Sequence, residues 1–177
     1  MHSSRIKRGY SFLKLRKYYS LPQLKKIIDA EKRQGKKIIL ANGCFDLIHV
    51  GHIRYLRESK KKGDILVLAL NSDASIGQLK GKGRPILKEK ERVDILTSVS
   101  FVDYITIFKE TTVENILQAL KPDIHAKGSD YTEETVPEKA TVRSYGGGIA
   151  ITGGPKVRST SQIINQIRDN FKNQDKL

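Results

Sequence analysis

Only one cysteine, Cys44, occurs in 177 residues. That excludes an internal disulfide framework and any cysteine-based zinc cluster, and it suits a reducing compartment, so the cytoplasm is the expected location. Tryptophan is absent and aromatic residues make up 7% of the chain, with none of the stacking motifs that single-stranded RNA readers place on their surface. No nucleic-acid partner is expected on that ground. Long apolar runs are missing as well. The longest, Ile65 to Leu70, has six residues, against the ~20 that a membrane-spanning helix requires. Acid is scarce: 19 Asp and Glu face 33 Lys and Arg, leaving +14. An excess of that sign favours anionic partners (nucleic acid, an anionic membrane surface or phosphorylated small molecules) and does not choose among them.

What is present describes one globular domain. Hydrophobic residues account for 38% and charged residues for 29%, and a chain of this length buries roughly 70% of its unfolded surface in a single core. Residues 1–20 hold Arg5, Lys7, Arg8, Lys14, Arg16 and Lys17 and no acid. They read as a basic N-terminal extension outside the core fold, a flexible arm, an oligomer contact or a transit-peptide-like segment, and residues 21–177 read as the domain. From Ser20 onward helix and strand signals alternate. Ser20 with Gln23 forms a capping-box pattern, Pro22 sits in the first turn, and Leu21, Leu24, Ile27 and Ile28 make an apolar stripe that stops at Gly35. Strands are expected at Ile38 to Ala41, Ile65 to Leu70, Phe101 to Ile107, Asp123 to Ala126 and Ile149 to Ile151. Helices are expected between them, with a Gly/Lys/Arg loop after the second strand. A last helix begins at Ser159 or Thr160, with Ile163, Ile164, Ile167 and Phe171 as its core stripe. The unbroken apolarity of Ile65 to Leu70 implies burial on both faces, as in a parallel sheet. The fold class is therefore α/β, a doubly wound five-stranded parallel sheet of Rossmann-like kind, and ligands bind just beyond the carboxyl ends of such strands.

The segment after the first strand is the most informative. It runs Asn42-Gly43-Cys44-Phe45-Asp46-Leu47-Ile48-His49-Val50-Gly51-His52 and opens directly into a helix. Gly51 permits close backbone approach, the N-H groups and positive dipole of a helix start favour phosphate, and His49 and His52 can point to one face. Two other readings stand beside it: histidines that merely pack a strand-helix turn, and a zinc site with Asp46 as third ligand.

Asn42 to His52 resembles the HxGH signature of the nucleotidyltransferase superfamily, related in turn to the HIGH element of class I aminoacyl-tRNA synthetases. In family order follow Ala69 to Asp73, Leu79 to Ile86 with its Lys-Gly-Lys-Gly-Arg-Pro core, Glu91-Arg92, Lys127 to Tyr131, Tyr145 to Gly147 and Arg158 to Ser161. Together these are similar to the heptose 1-phosphate adenylyltransferase branch over about residues 21 to 170. That branch is known as a stand-alone enzyme and as the second domain of a bifunctional kinase/adenylyltransferase, and a chain of this length points to the stand-alone form. A synthetase reading fails on length and on the Arg-Ser-Thr-Ser wording of the last loop.

The resemblance implies transfer of AMP from ATP to a sugar 1-phosphate, giving ADP-heptose and pyrophosphate for surface-polysaccharide assembly. His49 and His52 then contact the triphosphate and are the catalytic pair, with Arg158 as the third catalytic residue. Ser159 and Thr160 meet the β and γ phosphates with Arg158, and Mg²⁺ is held mainly by phosphate oxygens rather than by protein ligands. Asn42, Gly43, Phe45 and Gly51 form the first nucleotide loop, and Lys127, Gly128 and Asp130 face base and ribose. Asp46, Asn71 and Asp73 are candidates for the sugar hydroxyls. Lys80 and Arg84 are candidates for the acceptor phosphate, and Arg92 is either a site arginine or half of a surface pair with Glu91. Relatives imply a homodimer. Other acceptors and donors, such as glycerol 3-phosphate with CTP or GTP, and a basic RNA-binding protein on the same fold, are the competing readings.

Overall fold

A computed structural model describes residues 17–155 and 157–172 of the chain. Five strands, β1 (Ile38–Gly43), β2 (Ile65–Asn71), β3 (Tyr104–Phe108), β4 (Ile124–Gly128) and β5 (Gly148–Thr152), form one sheet in the order β3-β2-β1-β4-β5. Every pairing is parallel. Seven helices connect and flank them: α1 (Leu21–Arg33), α2 (Val50–Lys60), α3 (Asp73–Lys80), α4 (Glu89–Thr97), α5 (Glu114–Leu120), α6 (Lys139–Ser144) and α7 (Thr160–Lys172). The strand order reverses direction between β1 and β4, so the switch point lies where both strands end, and a ligand crevice belongs there.

Alternation along each strand builds two cores. On one face Ile38 and Leu40 of β1 and Val67 and Ala69 of β2 meet Leu24 and Ile28 of α1, Ile116 and Leu117 of α5 and Val142 of α6. On the other, Ile39, Ala41, Leu66 and Leu68 meet Tyr55 and Leu56 of α2 and Val93 and Leu96 of α4. All seven residues of β2 are buried, which is why its sequence carries no polar alternation. Among the described residues no helix is long and apolar enough to cross a membrane.

The structure departs from the sequence reading in four places. The stretch after β2, expected as loop, contains α3, begun by Ser72, whose Oγ accepts from the Ser75 N-H at 3.1 Å. The third strand starts at Tyr104 and not at Phe101. A turn closed by Val102 N-H on the Val99 carbonyl (3.2 Å) occupies the interval, and the Asp103 carboxylate caps the Leu66 N-H at 2.7 Å. The apolar stripe of α7 does not enter the core: no residue of that helix is buried, and Ile167 and Phe171 are 49% and 63% exposed. Finally, the end of the N-terminal extension joins the sheet. Tyr18 bridges Ile105 in parallel, the Lys17 carbonyl accepts from Ile105 N-H at 2.7 Å, and Tyr19 N-H donates to the Ile105 carbonyl at 3.0 Å. Residues 1–16 lie outside the described residues.

Candidate active site

Two helix starts converge at the switch point. His49 caps α2 with extended backbone (φ −142°), and its ring stacks on that of His52 at 3.8 Å between centroids, 21° from coplanar. Gly51 is required by this closeness: a Cβ there would lie 3.0 Å from His49 Nδ1 and 3.3 Å from the carbonyl of Arg158. Arg158 immediately precedes α7, and Thr160 Oγ1 donates to the Leu47 carbonyl at 3.4 Å. The positive ends of α2 and α7 therefore face one small region, an arrangement that attracts a polyanion.

Phe45 sits beneath the histidines in a left-handed conformation (φ 47°), uncommon and costly for a bulky residue. Its ring is buried, 4.9 Å from His52 and 6.2 Å from Tyr55. Expected as a nucleotide contact, it forms the floor of the loop. Gly43 adjoins it, since a Cβ there would meet the Phe45 ring at 3.0 Å. Burial pushes the His52 imidazole down to about 4, with His49 adding to the effect, and burial followed by the nearby Arg158 charge lowers His49. Both rings are held neutral near pH 7, and the Nδ1 atom of each is buried without a partner.

At the start of α7, Ser159 Oγ accepts from Gln162 N-H at 3.2 Å while Gln162 Oε1 accepts from Ser159 N-H at 2.7 Å. This is a reciprocal capping box, so Ser159 is the N-cap. Arg158 is exposed and donates through Nη2 to Gln166 Oε1 at 2.8 Å.

The residues expected to read the acceptor sugar are instead bonded to one another. Asp46 is 1% exposed, and its carboxylate accepts from Ile86 N-H (2.8 Å), Leu87 N-H (2.9 Å) and Arg84 Nε (2.7 Å). Burial alone would raise its carboxyl; those N-H donors and Arg84 together hold it below the ordinary range. Arg92 is fully buried. Its guanidinium donates to the carbonyls of Leu87 (3.1 Å), Cys44 (2.8 Å) and Asn71 (2.8 Å) and to Asp73 Oδ1 (2.8 Å), so it is not half of a surface pair with Glu91. Asn71 Nδ2 donates to Ser75 Oγ at 2.9 Å. Asp46, Asn71, Asp73, Arg84 and Arg92 thus tie the loops after β1 and β2 to the segment before α4. Lys80 alone of this group is exposed, at the end of α3, before a loop turned by Gly81 and Gly83 at φ 83° and 84°.

Lys127, expected to face base and ribose, turns inward. It is 6% exposed and pairs with Glu138 at 3.1 Å, approaches Asn42 Oδ1 at 3.4 Å and lies 4.7 Å above the Tyr131 ring. Gly128 ends β4 half-buried, and Asp130 lies in the exposed turn beyond it. Three further residues, with no assignment from sequence, form part of the site. Tyr55 accepts from Asn42 N-H (3.3 Å) and donates to the Ala126 carbonyl (2.8 Å), His125 contacts Asn42 Oδ1 at 3.1 Å, and Glu138 holds Lys127. Only Tyr55 had a readable signal, its position three residues after His52 on one helical face. No group of three or more His, Cys, Asp or Glu that could hold a metal exists among the described residues, so the zinc reading of His49, His52 and Asp46 does not stand.

The model of the cytidylyltransferase-like family matches residues 40–166. Among curated proteins, the chain is similar to the bifunctional protein HldE of Syntrophotalea carbinolica, 47% identical over 149 residues, covering 84% of this chain and 30% of that protein. The HldE protein of Geobacter metallireducens is 49% identical over 151 residues, covering 85% and 31%. The chain therefore spans about 30% of the length of these relatives. A lipopolysaccharide core biosynthesis protein from Thermoplasma volcanium, solved by crystallography, superposes with a TM-score of 0.56 at 33% identity over 66% of this chain and 94% of the other. A pantoate-beta-alanine ligase from Francisella tularensis shares the fold, with a TM-score of 0.57 at 16% identity over 82% of this chain and 69% of the other.

Proposed function

The chain belongs to the cytidylyltransferase-like family, and from that premise we propose that it transfers the adenylyl group of ATP to a heptose 1-phosphate, giving ADP-heptose and pyrophosphate. The observation that carries this reading is the stacked, neutral His49–His52 pair at the start of α2, facing the start of α7. Two relatives whose names describe bifunctional proteins match this chain over about 30% of their length, so the likeness is to one part of such a protein, and the heptose branch is the one its motifs resemble.

No protein nucleophile is needed. A phosphate oxygen of the acceptor attacks the α-phosphorus in line, the bond from that phosphorus to the α,β-bridging oxygen breaks, and pyrophosphate leaves with that oxygen; positioning and charge stabilisation do the rest. His52 donates to the α-phosphoryl oxygens as they gain charge, and His49 supports the triphosphate beside it. Arg158, with Ser159 and Thr160 at the start of α7, meets the β and γ phosphates. Asn42, Gly43, Phe45 and Gly51 shape the loop under the nucleotide, and Gly128, Asp130 and the Lys127–Tyr131 pair border base and ribose. Lys80 supplies the acceptor phosphate with a cation, in a pocket whose wall is set by Asp46, Asn71, Asp73, Arg84 and Arg92. Arg158, Ser159 and Thr160 would receive the triphosphate together with any Mg²⁺ carried on its phosphate oxygens, and that ion would supply neutralising charge to the leaving pyrophosphate.

Residues 21–177 form the catalytic domain and 1–20 an extension that reaches it through Lys17 to Tyr19. A homodimer is part of this reading, supported by the apolar stripe of α7, which no described residue buries, and a cytoplasmic location follows from the need for ATP and a sugar phosphate. The test is pyrophosphate release with the four nucleoside triphosphates against a panel of sugar 1-phosphates. ATP with a heptose 1-phosphate is expected to exceed CTP and GTP in kcat/KM by about 10-fold or more, at least ~1.4 kcal/mol. Equal or better use of CTP, the donor that the family description evokes, removes the adenylyl assignment and leaves the transfer mechanism; no release with any pair removes both.

A further inference from the structure

Behind the phosphate-facing residues lies a polar cluster of Asn42, Lys127 and His125, of which His125 has no part in the steps above. His125 stands in the middle of β4, 0% exposed, at a position where an aliphatic side chain would fill the same space. A buried polar ring costs free energy unless it is bonded. Its Nε2 lies 3.1 Å from Asn42 Oδ1, its Nδ1 is buried without a partner, and the contact joins β4 to β1 across the switch point. Lys127 Nζ approaches the same Asn42 atom at 3.4 Å. An ammonium has donors only, so the atom it faces is the amide oxygen and not the nitrogen. That oxygen only accepts, so His125 Nε2 carries the ring proton. With Oδ1 held from two sides by donors, the carboxamide of half-buried Asn42 is fixed in one orientation, and its NH₂ group makes no hydrogen bond among the described residues.

We infer that His125 is a positioning residue of the nucleotide site: its Nε2-H, together with Lys127, fixes the Asn42 carboxamide so that the NH₂ group is presented to the bound nucleotide. The inference rests on the reading that this loop receives a nucleoside triphosphate. His125 touches no substrate and acts only through Asn42.

Two measurements on the full chain test it. Long-range ¹⁵N-¹H spectra of histidine-labelled protein, assigned with His125→Leu, are expected to place His125 in the neutral Nε2-H tautomer; an Nδ1-H tautomer or an imidazolium at neutral pH overturns the inference. His125→Leu is expected to weaken ATP binding by about tenfold, as loss of one buried donor implies, and to raise the nucleotide KM with kcat within about threefold. His125→Gln, whose amide can still donate, recovers most of that loss. In an Asn42→Ala background His125→Leu is expected to add nothing, because coupled residues fail additivity; additive losses overturn the inference. If His125→Leu does not fold, the tautomer and the His125→Gln pair with Asn42→Ala decide. Absence of pyrophosphate release by the unmodified chain counts against the transfer reaction alone, since the tautomer and the coupling in ATP binding, read by calorimetry, are measured without turnover.

Discussion

Replacing Arg92 by methionine separates two roles for a buried arginine. In the structure the guanidinium has four acceptors, the carbonyls of Leu87, Cys44 and Asn71 and the Asp73 carboxylate. Methionine fills much of the volume with an adaptable apolar chain and supplies no donor. The Asp73 side chain is 31% exposed, so water takes over there and that pair contributes little. The three carbonyls are different: each loses its partner where solvent is scarce, at ~1–3 kcal/mol for a truly orphaned group, with some relief from local rearrangement. Removing one partner from a buried charged network costs about 3–5 kcal/mol, and ~4 kcal/mol is a fair central figure against the ~5–15 kcal/mol that holds a domain together. With a urea m-value near ~2 kcal/mol/M, the unfolding midpoint falls by ~2 M. Circular dichroism in urea measures this, and kcat/KM measured at low temperature on the folded fraction reports the site. We expect a large loss of stability with turnover kept within about tenfold, because Arg92 holds three chain segments together and spends its donors on protein acceptors. Arg92→Lys, which keeps charge but lacks the planar fork, falls between. A midpoint unchanged within ~0.5 M together with abolished turnover would refute the cross-link and return Arg92 to the acceptor pocket.

Other expectations follow from the same geometry. His52→Ala is expected to lower kcat roughly 100-fold or more with the fold retained, and His52→Asn to recover part of it because an amide still donates; near-normal turnover in folded His52→Ala protein contradicts the site. Stability depends on pH through His52 and His125, which burial pushes down to about 4 and about 3. Both lie below the ~6.5 of an unfolded histidine, so the unfolded chain binds more protons in that window. Their contribution is complete above ~6.5 and is lost as pH falls toward ~4. Urea midpoints between about pH 7 and 4.5 are expected to decline, and the variant His52→Gln with His125→Gln to decline less; parallel slopes for the two proteins count against the buried neutral rings. Deleting residues 1–16 is expected to leave turnover intact, whereas a cut that also removes Lys17 to Tyr19 strips the hydrogen bonds these residues make to Ile105 and lowers the melting temperature; loss of all turnover in the shorter deletion means the arm completes the site.

How far the sequence carries can be judged residue by residue. Uniform apolarity announced β2, and the capping pattern at Ser20 and Gln23 announced α1, because both signals are local. α3 was missed because Ser72 to Lys80 contributes few core residues, Ser75 and Ile76 being its buried ones, and its glycine and lysine content reads as loop. The stripe of α7 was visible as amphipathic periodicity, but periodicity states that one face is apolar and not what covers it. The same limit applied at the site. His49 and His52 share a face by spacing alone, whereas the partners of Asp46 lie 38 to 41 positions away, and those of Asn42 lie 83 and 85 away. Charged residues near a strand end were recognisable as a cluster; whether they faced a ligand or one another depended on a fold that local pattern does not encode.

That distinction explains how the charges are divided. The residues that pair internally, Asp46 with Arg84, Arg92 with Asp73 and Lys127 with Glu138, fix the loops while leaving the site itself little changed in net charge. The groups at the mouth are treated differently: Arg158 and Lys80 are exposed, and the starts of α2 and α7 face one region. His49 and His52 complete the balance. Stacked at 3.8 Å, they cannot both carry a proton without like-charge repulsion; His49 adds in this way to the burial that lowers His52, while burial and Arg158 lower His49. In the proposed reaction a triphosphate beside the stacked pair would reverse that electrostatic sign and favour the charged form of the ring it meets. Rigid internal pairs thus keep the loops in place so that the site needs little reorganisation as phosphate charge develops, and preorganisation of this kind is where electrostatic catalysis draws its advantage.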